Sequence, residues 1–325
     1  MKGLELSTRY FSEIGLPAIE RELPECLPHM AAGMIGGSQC HENDDELSRD
    51  HGWGAAFTVW LDGADYDRFV APLTDVLKRL PDQFLGVPAS ASVSKLGEYM
   101  KVQVGCEKAP ETGMEWLHIP EESLFEITHR PVFYDGTGEV TRRFASFQAY
   151  PEDVWRQRLS ACLSWLWEWG IKHHRRTVRR GDFITAAMYW CRFATYAMKV
   201  GFLLSRQYAP YHKWLYREFL KLPEPSREAS PLIQAGFESP AGVDQIVSRI
   251  IDIYVRALQK QGFRPMPFTP EQELKLAYRE GVELLLYARA VRASIEHAGM
   301  RELSSYAEVL LPAWRPTWMQ VAPEG

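Results

Sequence analysis

The chain has 325 residues, 46% of them hydrophobic and 24% charged, with a formal net charge of −5. That length allows roughly two domains at about 150 residues each, the composition is that of an ordinary globular protein with ample core, and the acidic balance argues against nucleic acid as a partner. Five scattered cysteines without CxxC spacing, no signal-peptide layout and no long apolar run argue against a zinc site, a disulfide framework and a membrane span, and predict a cytoplasmic protein with reduced thiols.

Residues 6–27 carry apolar side chains at helical spacing, interrupted by Pro17. Residues 30–35 read as a short buried strand that runs into Gly36-Gly37. A second strand follows at 55–61, a helix at 65–80 and a third strand at 99–104. A short helix at 121–128 has acids in its first turn, where they complement the helix dipole. Val132-Phe133-Tyr134 then leads into the turn Asp135-Gly136-Thr137-Gly138. After Pro151 the strand signals stop. Residues 152–176, 182–206, 243–261 and 270–297 read as long helices, the last opening on a Thr269 cap with Pro270 behind it. Residues 222–226 read as a loop. The expected fold is α+β: a small mixed-sheet domain over 1–148, then an all-α helical bundle over 149–325.

The candidate chemistry lies in Gly36-Gly37-Ser38 and, about eleven residues on, Asp50. Backbone N–H groups in a glycine turn can cradle phosphate oxygens without side-chain clash, and the Ser38 hydroxyl adds a donor. Divalent metals would then bridge the phosphates. Two acids at i and i+2 of a strand share a face, roughly 6.5 Å apart by strand rise, which suits a metal pair. Here the i+2 position is Gly52. Taken alone, Gly-Gly-Ser reads as a simple turn and Asp50 as a solvated loop acid. Their order, with an apolar strand on each side, raises the nucleotide reading.

That order is similar to the nucleotidyltransferase pattern of apolar-Gly-[Gly/Ser], a spacer, then Asp-x-[Asp/Glu]. The string from Asp44 to Gly54, Asp-Asp-Glu-Leu-Ser-Arg-Asp-His-Gly-Trp-Gly, resembles an uncharacterised bacterial family, domain of unknown function 4037. So does Arg206-Gln207-Tyr208-Ala209-Pro210-Tyr211-His212-Lys213-Trp214 in the second half. The resemblance implies a nucleotidyltransferase-like domain that binds an NTP, foremost ATP, with Mg²⁺. It implies Asp50 as catalytic acid and metal ligand, and Gly36, Gly37, Ser38, Arg49 and Lys213 as nucleotide contacts. Transfer of a nucleotidyl group to a small acceptor is the activity it suggests. Gly52 stands where relatives have the second acid, and no third acid is evident on the expected strand at 99–104. The alternative is therefore a catalytically degenerate fold that binds a nucleotide or a protein partner. Asp44, Asp45 and Glu46 could fold back as ligands, but solvated loop charges are the better reading.

Other features have plainer readings. The basic run from Lys172 to Arg180 fits a solvated helix end. Arg192, Lys199 and Arg206, spaced by sevens, share a helix face that either lines a cleft or pairs with acids. Arg206/His212 and Arg292/His297 match a permissive ribonuclease spacing by chance. Trp155, Trp165, Trp167 and Trp169 are core material.

Overall fold

A computed structural model describes residues 1–50, 52–239, 242–274 and 280–303, without the side chains of Asp50 and Leu274. The chain divides into two compact units. One comprises Met1–Pro110 and Ser123–Gln148; the other comprises Glu111–Glu122 and the described chain from Ala149 on.

The first unit opens with α1 (Gly3–Tyr10) and α2 (Leu16–Glu22), joined by a π-helical turn at Phe11–Gly15. Pro17 follows directly on the π-helical turn, and Gly15 and Leu16 stay in helical conformation, so the helix continues through the proline rather than breaking. Strand β1 (Ala31–Gly33) and strand β2 (Ala55–Leu61) follow. Helix α3 (Gly63–Leu77) is capped by Asp62, which accepts from the Gly63 N–H at 3.0 Å. Strands β3 (Gln83–Phe84) and β4 (Val87–Lys95) lead into α4 (Leu96–Val104). A short helix, α5 (Gly113–Trp116), belongs to the second unit. Helix α6 (Glu121–Thr128), strand β5 (Val132–Asp135) and helix α7 (Glu139–Ala145) follow.

The five strands form one mixed sheet in the order β3-β4-β2-β1-β5. β2 and β4 are parallel, with Thr58 opposite Ser92; the other pairs are antiparallel. One sheet face buries Ala32, Phe57, Val59 and Leu61 against Tyr10, Phe11, Ile19, Phe69 and Leu73. The opposite face carries Thr58 and Trp60, and the Trp60 ring meets Tyr99 and Phe144 at 5.2 and 5.7 Å.

The third strand expected at 99–104 is a correction. Those residues are in α4, and the strand is β4, just before it. The buried apolar side chains of α4 are Leu96, Tyr99, Met100 and Val104, a spacing of three, one and four that only a helix places on one side. Gly105, left-handed at φ 82°, ends the helix.

The second unit is all helical. Helix α8 (Glu152–Leu166) runs through a π-helical stretch, Trp167–His174, into α9 (Arg175–Arg179). Helix α10 (Phe183–Leu204) packs along it, and Gly170 lets the Phe193 ring approach to where a Cβ would sit. Helices α11 (Leu215–Phe219), α12 (Ser226–Glu238) and α13 (Val243–Lys260) follow. α13 is buried through Val243, Val247, Ile250, Ile251, Tyr254 and Leu258, one stripe of a 3.6-residue repeat. The described chain closes with α14 (Pro270–Leu274), α15 (Glu283–Ala293) and α16 (Ala298–Arg301). Trp155 and Trp167 are core residues whose indoles donate to the carbonyls of Leu203 at 2.7 Å and Glu280 at 3.0 Å. No helix of the described residues is long and apolar enough to cross a membrane.

Phe57 is 1% exposed and its ring meets both Tyr10 and Phe11. Phe57→Ala should destabilise the first unit by about 3–5 kcal/mol, read as an earlier denaturation midpoint by circular dichroism. A shift under about 1 kcal/mol would mean that this core collapses around the gap.

Candidate functional site

The chain leaves β1 through a loop that is held from below. The Met34 N–H donates to the Pro131 carbonyl at 3.1 Å, and the Tyr99 hydroxyl donates to the Ile35 carbonyl at 3.0 Å. Gly36 lies directly on the Arg130 guanidinium: a Cβ there would be 2.4 Å from Nη1. Gly37 adopts φ 93°, ψ 172°, a conformation essentially restricted to glycine, with open space where a Cβ would point. Ser38 then starts a single 3-10 turn, Ser38–His41, closed by Cys40 N–H donating to the Gly37 carbonyl at 3.0 Å. The expected Gly-Gly-Ser turn is thus a real turn, partly open to solvent.

Beneath it lies a polar cluster that sequence spacing did not reveal. The Arg130 side chain is 1% exposed; Nη2 donates to Gln103 Oε1 at 3.0 Å and lies 3.6 Å from Glu126 Oε2. Glu126 Oε1 is 2.9 Å from His41 Nε2. Burial works to raise the Glu126 pKa, but the His41 hydrogen bond and the charges of His41 and Arg130 outweigh it and hold the carboxyl below its usual range. Burial pushes the Cys40 thiol up, partly offset by the neighbouring guanidinium. These residues come from β5's approach, α4, α6 and the loop itself, so only the fold collects them.

Asp44 is not a solvated loop charge, which corrects that expectation. It is 3% exposed, accepts from the Gly3 N–H at 2.9 Å and from the Trp53 indole at 3.1 Å, and pairs with Lys2 at 3.8 Å. It ties the start of α1 to this loop. Asp45 accepts from the Ser48 N–H at 3.1 Å and so caps the 3-10 turn Leu47–Asp50. Asp50 ends that turn and is not on a strand; its side chain, like His51, lies outside the described residues. Gly52 is left-handed at φ 62°, its carbonyl accepting from Gln39 at 3.0 Å, and β2 begins only at Ala55. The strand geometry assumed for positions 50 and 52 is therefore absent. Arg49 is exposed, with its guanidinium 4.8 Å from the Trp53 ring. Both line a pocket of about 340 Å³ together with Met1, Lys2, Glu5, Asp44, Asp45 and Glu46, four carboxylates against the side chains of Lys2 and Arg49. So many carboxylates make it a poor place for phosphates.

Strand β4 beside β2 is where a third acid would be sought, and it carries Ser90, Ser92 and Ser94 in alternation. Ser92 Oγ donates to Thr58 Oγ1 at 3.1 Å, and Thr58 Oγ1 lies 3.5 Å from Ser94 Oγ. Among the described residues no three His, Cys, Asp or Glu side chains are placed to hold a metal. The donor set by residue type is thus one carboxylate, Asp50, with a glycine and serines where further acids would stand. That does not fit a carboxylate-clamped metal pair. It fits at most a single Mg²⁺ carried on substrate phosphates.

In the second unit Lys213 is exposed, its ammonium 5.0 Å from the Trp214 ring. The spaced cations are each engaged within that unit. Arg192 lies over Trp169, Lys199 pairs with Glu121 at 3.7 Å, and Arg206 forks onto Glu152 at 2.7 and 3.2 Å. The basic run is likewise paired into the bundle, through Lys172 with Glu168, His174 with Asp244 and Arg179 with Glu280. His297 caps α16 by accepting from the Met300 N–H at 3.1 Å, a structural use.

Residues 116–215 match the family model for a domain of unknown function, DUF4037. The expected resemblance holds over that segment, which contains the Tyr208–Trp214 string; the Asp44–Gly54 string lies outside it. The chain is similar to a solved structure of a nucleotidyltransferase-like protein from Exiguobacterium sibiricum 255-15, at 13% identity over 90% of each chain with a TM-score of 0.34. No curated protein matches the chain.

Because the Glu126 pKa is lowered by folding, its contribution is present above the ordinary glutamate value, about 4.3, and is lost as pH falls through the lower folded value. Glu126→Gln should cost about 1–3 kcal/mol at neutral pH and flatten the acid limb of stability. Denaturant titrations from neutral pH to about pH 3 check this; an unchanged acid limb would remove Glu126 from the account.

Proposed function

We propose that this chain is a cytoplasmic nucleotide-binding protein of nucleotidyltransferase-like plan, which takes the phosphates of an NTP, foremost ATP, on the Gly36-Gly37-Ser38 turn. The observation that carries the reading is Gly37: a φ of 93° with open space beside it leaves the backbone bare for a phosphate oxygen. Ser38 adds a hydroxyl, and Arg130 places positive charge behind the turn. Mg²⁺ enters on the nucleotide's own phosphates, with Asp50 the carboxylate available to meet it. Arg49, an exposed cation of the same unit, remains a candidate outer contact.

Between transfer to a small acceptor and binding alone, the serines of β4 favour binding. Hydroxyls neither neutralise two metals nor hold them in register. On this reading the output is a bound nucleotide offered to a small-molecule or protein partner. Transfer becomes the better reading if incubation with Mg·ATP releases pyrophosphate in proportion to enzyme.

Calorimetry with ATP, with and without Mg²⁺, tests the site. Ser38→Ala should weaken binding about three- to tenfold, and Gly37→Val should weaken it more, since a β-branched residue resists that φ. Gly52→Asp is well suited to the fold: the left-handed region tolerates aspartate best among the charged residues, and an added Cβ meets nothing within 4 Å. Because positions 50 and 52 do not share a strand face, it should change Mg·ATP binding little, whereas Asp50→Ala should weaken Mg·ATP and leave metal-free ATP unchanged. Absence of ATP binding by the unmodified protein would sink the reading.

A further inference from the structure

Arg130 is the most deeply buried cation beside the turn, and its nitrogens are unevenly used. Nη2 is satisfied by Gln103 and faces Glu126. Nε and Nη1 have no hydrogen-bond partner of acceptable geometry; beside the guanidinium lies the Cys40 thiol, a weak acceptor. Leaving such donors unpaired in a protein interior is costly. Nη1 is also the atom on which Gly36 rests, and the nearest three atoms to a Cβ at Gly36 all belong to the Arg130 guanidinium. Gly36 is not among the residues with positive φ. Its lack of a side chain is therefore explained by this contact and not by backbone conformation.

We propose that Arg130 is the positioning residue of the phosphate turn: its buried guanidinium sets the height of Gly36 and supplies, through the backbone, the positive charge that the turn presents to a polyphosphate. The inference rests on the nucleotide-binding reading above. The charge acts from inside the fold, where salt screens it little, and Glu126 meets the guanidinium at Nη2 whereas Gly36 rests on Nη1, so the positive edge and not the carboxylate lies against the turn. The ligand class that follows is a nucleotide recognised by its phosphates. Affinity should rise from adenosine through AMP to ATP, and Arg130 should account for a large part of that rise.

The test is calorimetry of ATP, AMP and adenosine on the full chain, unmodified and as Arg130→Lys and Arg130→Met, at two salt concentrations. Arg130→Met should weaken ATP at least about fivefold while leaving adenosine unchanged. Arg130→Lys, which keeps the charge but not the fork, should recover most of the ATP affinity. A purely structural arginine would instead weaken ATP and adenosine together, and lysine would not rescue. Should Arg130→Met fail to fold, Gly36→Ala decides: pressing a methyl onto the guanidinium should weaken ATP and not adenosine, and an unchanged ATP affinity overturns the proposal. ATP binding that is normal in Arg130→Met overturns this inference and leaves the nucleotide reading standing. No ATP binding by the unmodified chain removes both.

Discussion

The first unit is organised around a guanidinium that has almost no contact with water. A buried cation is tolerable only if the fold supplies partners, and here that demand decides what surrounds β1. Gln103 must come from α4, Glu126 from α6 and His41 from the loop after the glycine turn. The loop can cross above only where it lacks side chains. Gly33 rests on the Pro131 carbonyl and the Trp60 ring, and Gly36 on Arg130 itself. The side chains missing at Gly33 and Gly36 are thus explained by what lies against them, and Gly37 by a φ of 93° that glycine adopts freely.

The same arrangement bears on metals. A site that clamps two divalent ions concentrates carboxylates and needs no nearby buried cation. At the glycine turn and along β4 the balance is the reverse. Gly52 lacks a side chain, β4 offers serines, and Asp44 is committed to the Gly3 N–H and the Trp53 indole. Its positive charge is built in as Arg130. The hydroxyl row of Thr58, Ser92 and Ser94 is satisfied internally, so it reads as part of the sheet and not as an empty ligand set.

Much of the α+β plan was legible because it rests on local pattern. The bounds of β2 coincide with the apolar run from Ala55 to Leu61, and α10 and α13 follow their periodicities to within a residue or two. The error at 99–104 arose where six residues satisfy both periods; the span from Leu96 to Val104, with Gly105 as a stop, carries the helical answer. β4 was missed although its alternation of serine with alanine and valine was present, because small residues give a weak signal of burial. The turn at Gly36-Gly37-Ser38 could be read because a glycine pair has few other uses. Arg130, Glu126 and His41 could not. Glu126 and Arg130 are only four residues apart, an ordinary pair at the end of α6, but His41 and Gln103 lie far from both in sequence, and only the fold makes the four neighbours.

Where the cations are spent narrows where phosphate can bind. In the helical unit Arg206 is forked onto Glu152, Lys199 faces Glu121 and Arg179 faces Glu280, so their charge is already balanced by acids of the same unit. The pocket beside Arg49 is ringed by carboxylates that repel a polyphosphate. The glycine turn differs from both. It has no acid on its exposed side among Gly36, Gly37 and Ser38, a glycine-only backbone conformation at Gly37, and a guanidinium below whose Nη1 lies against Gly36. A phosphate held there would meet a field fixed by the fold rather than by mobile surface side chains. On the proposed reading such a field would cost no reorganisation on binding, an advantage that a charge on a mobile surface side chain lacks.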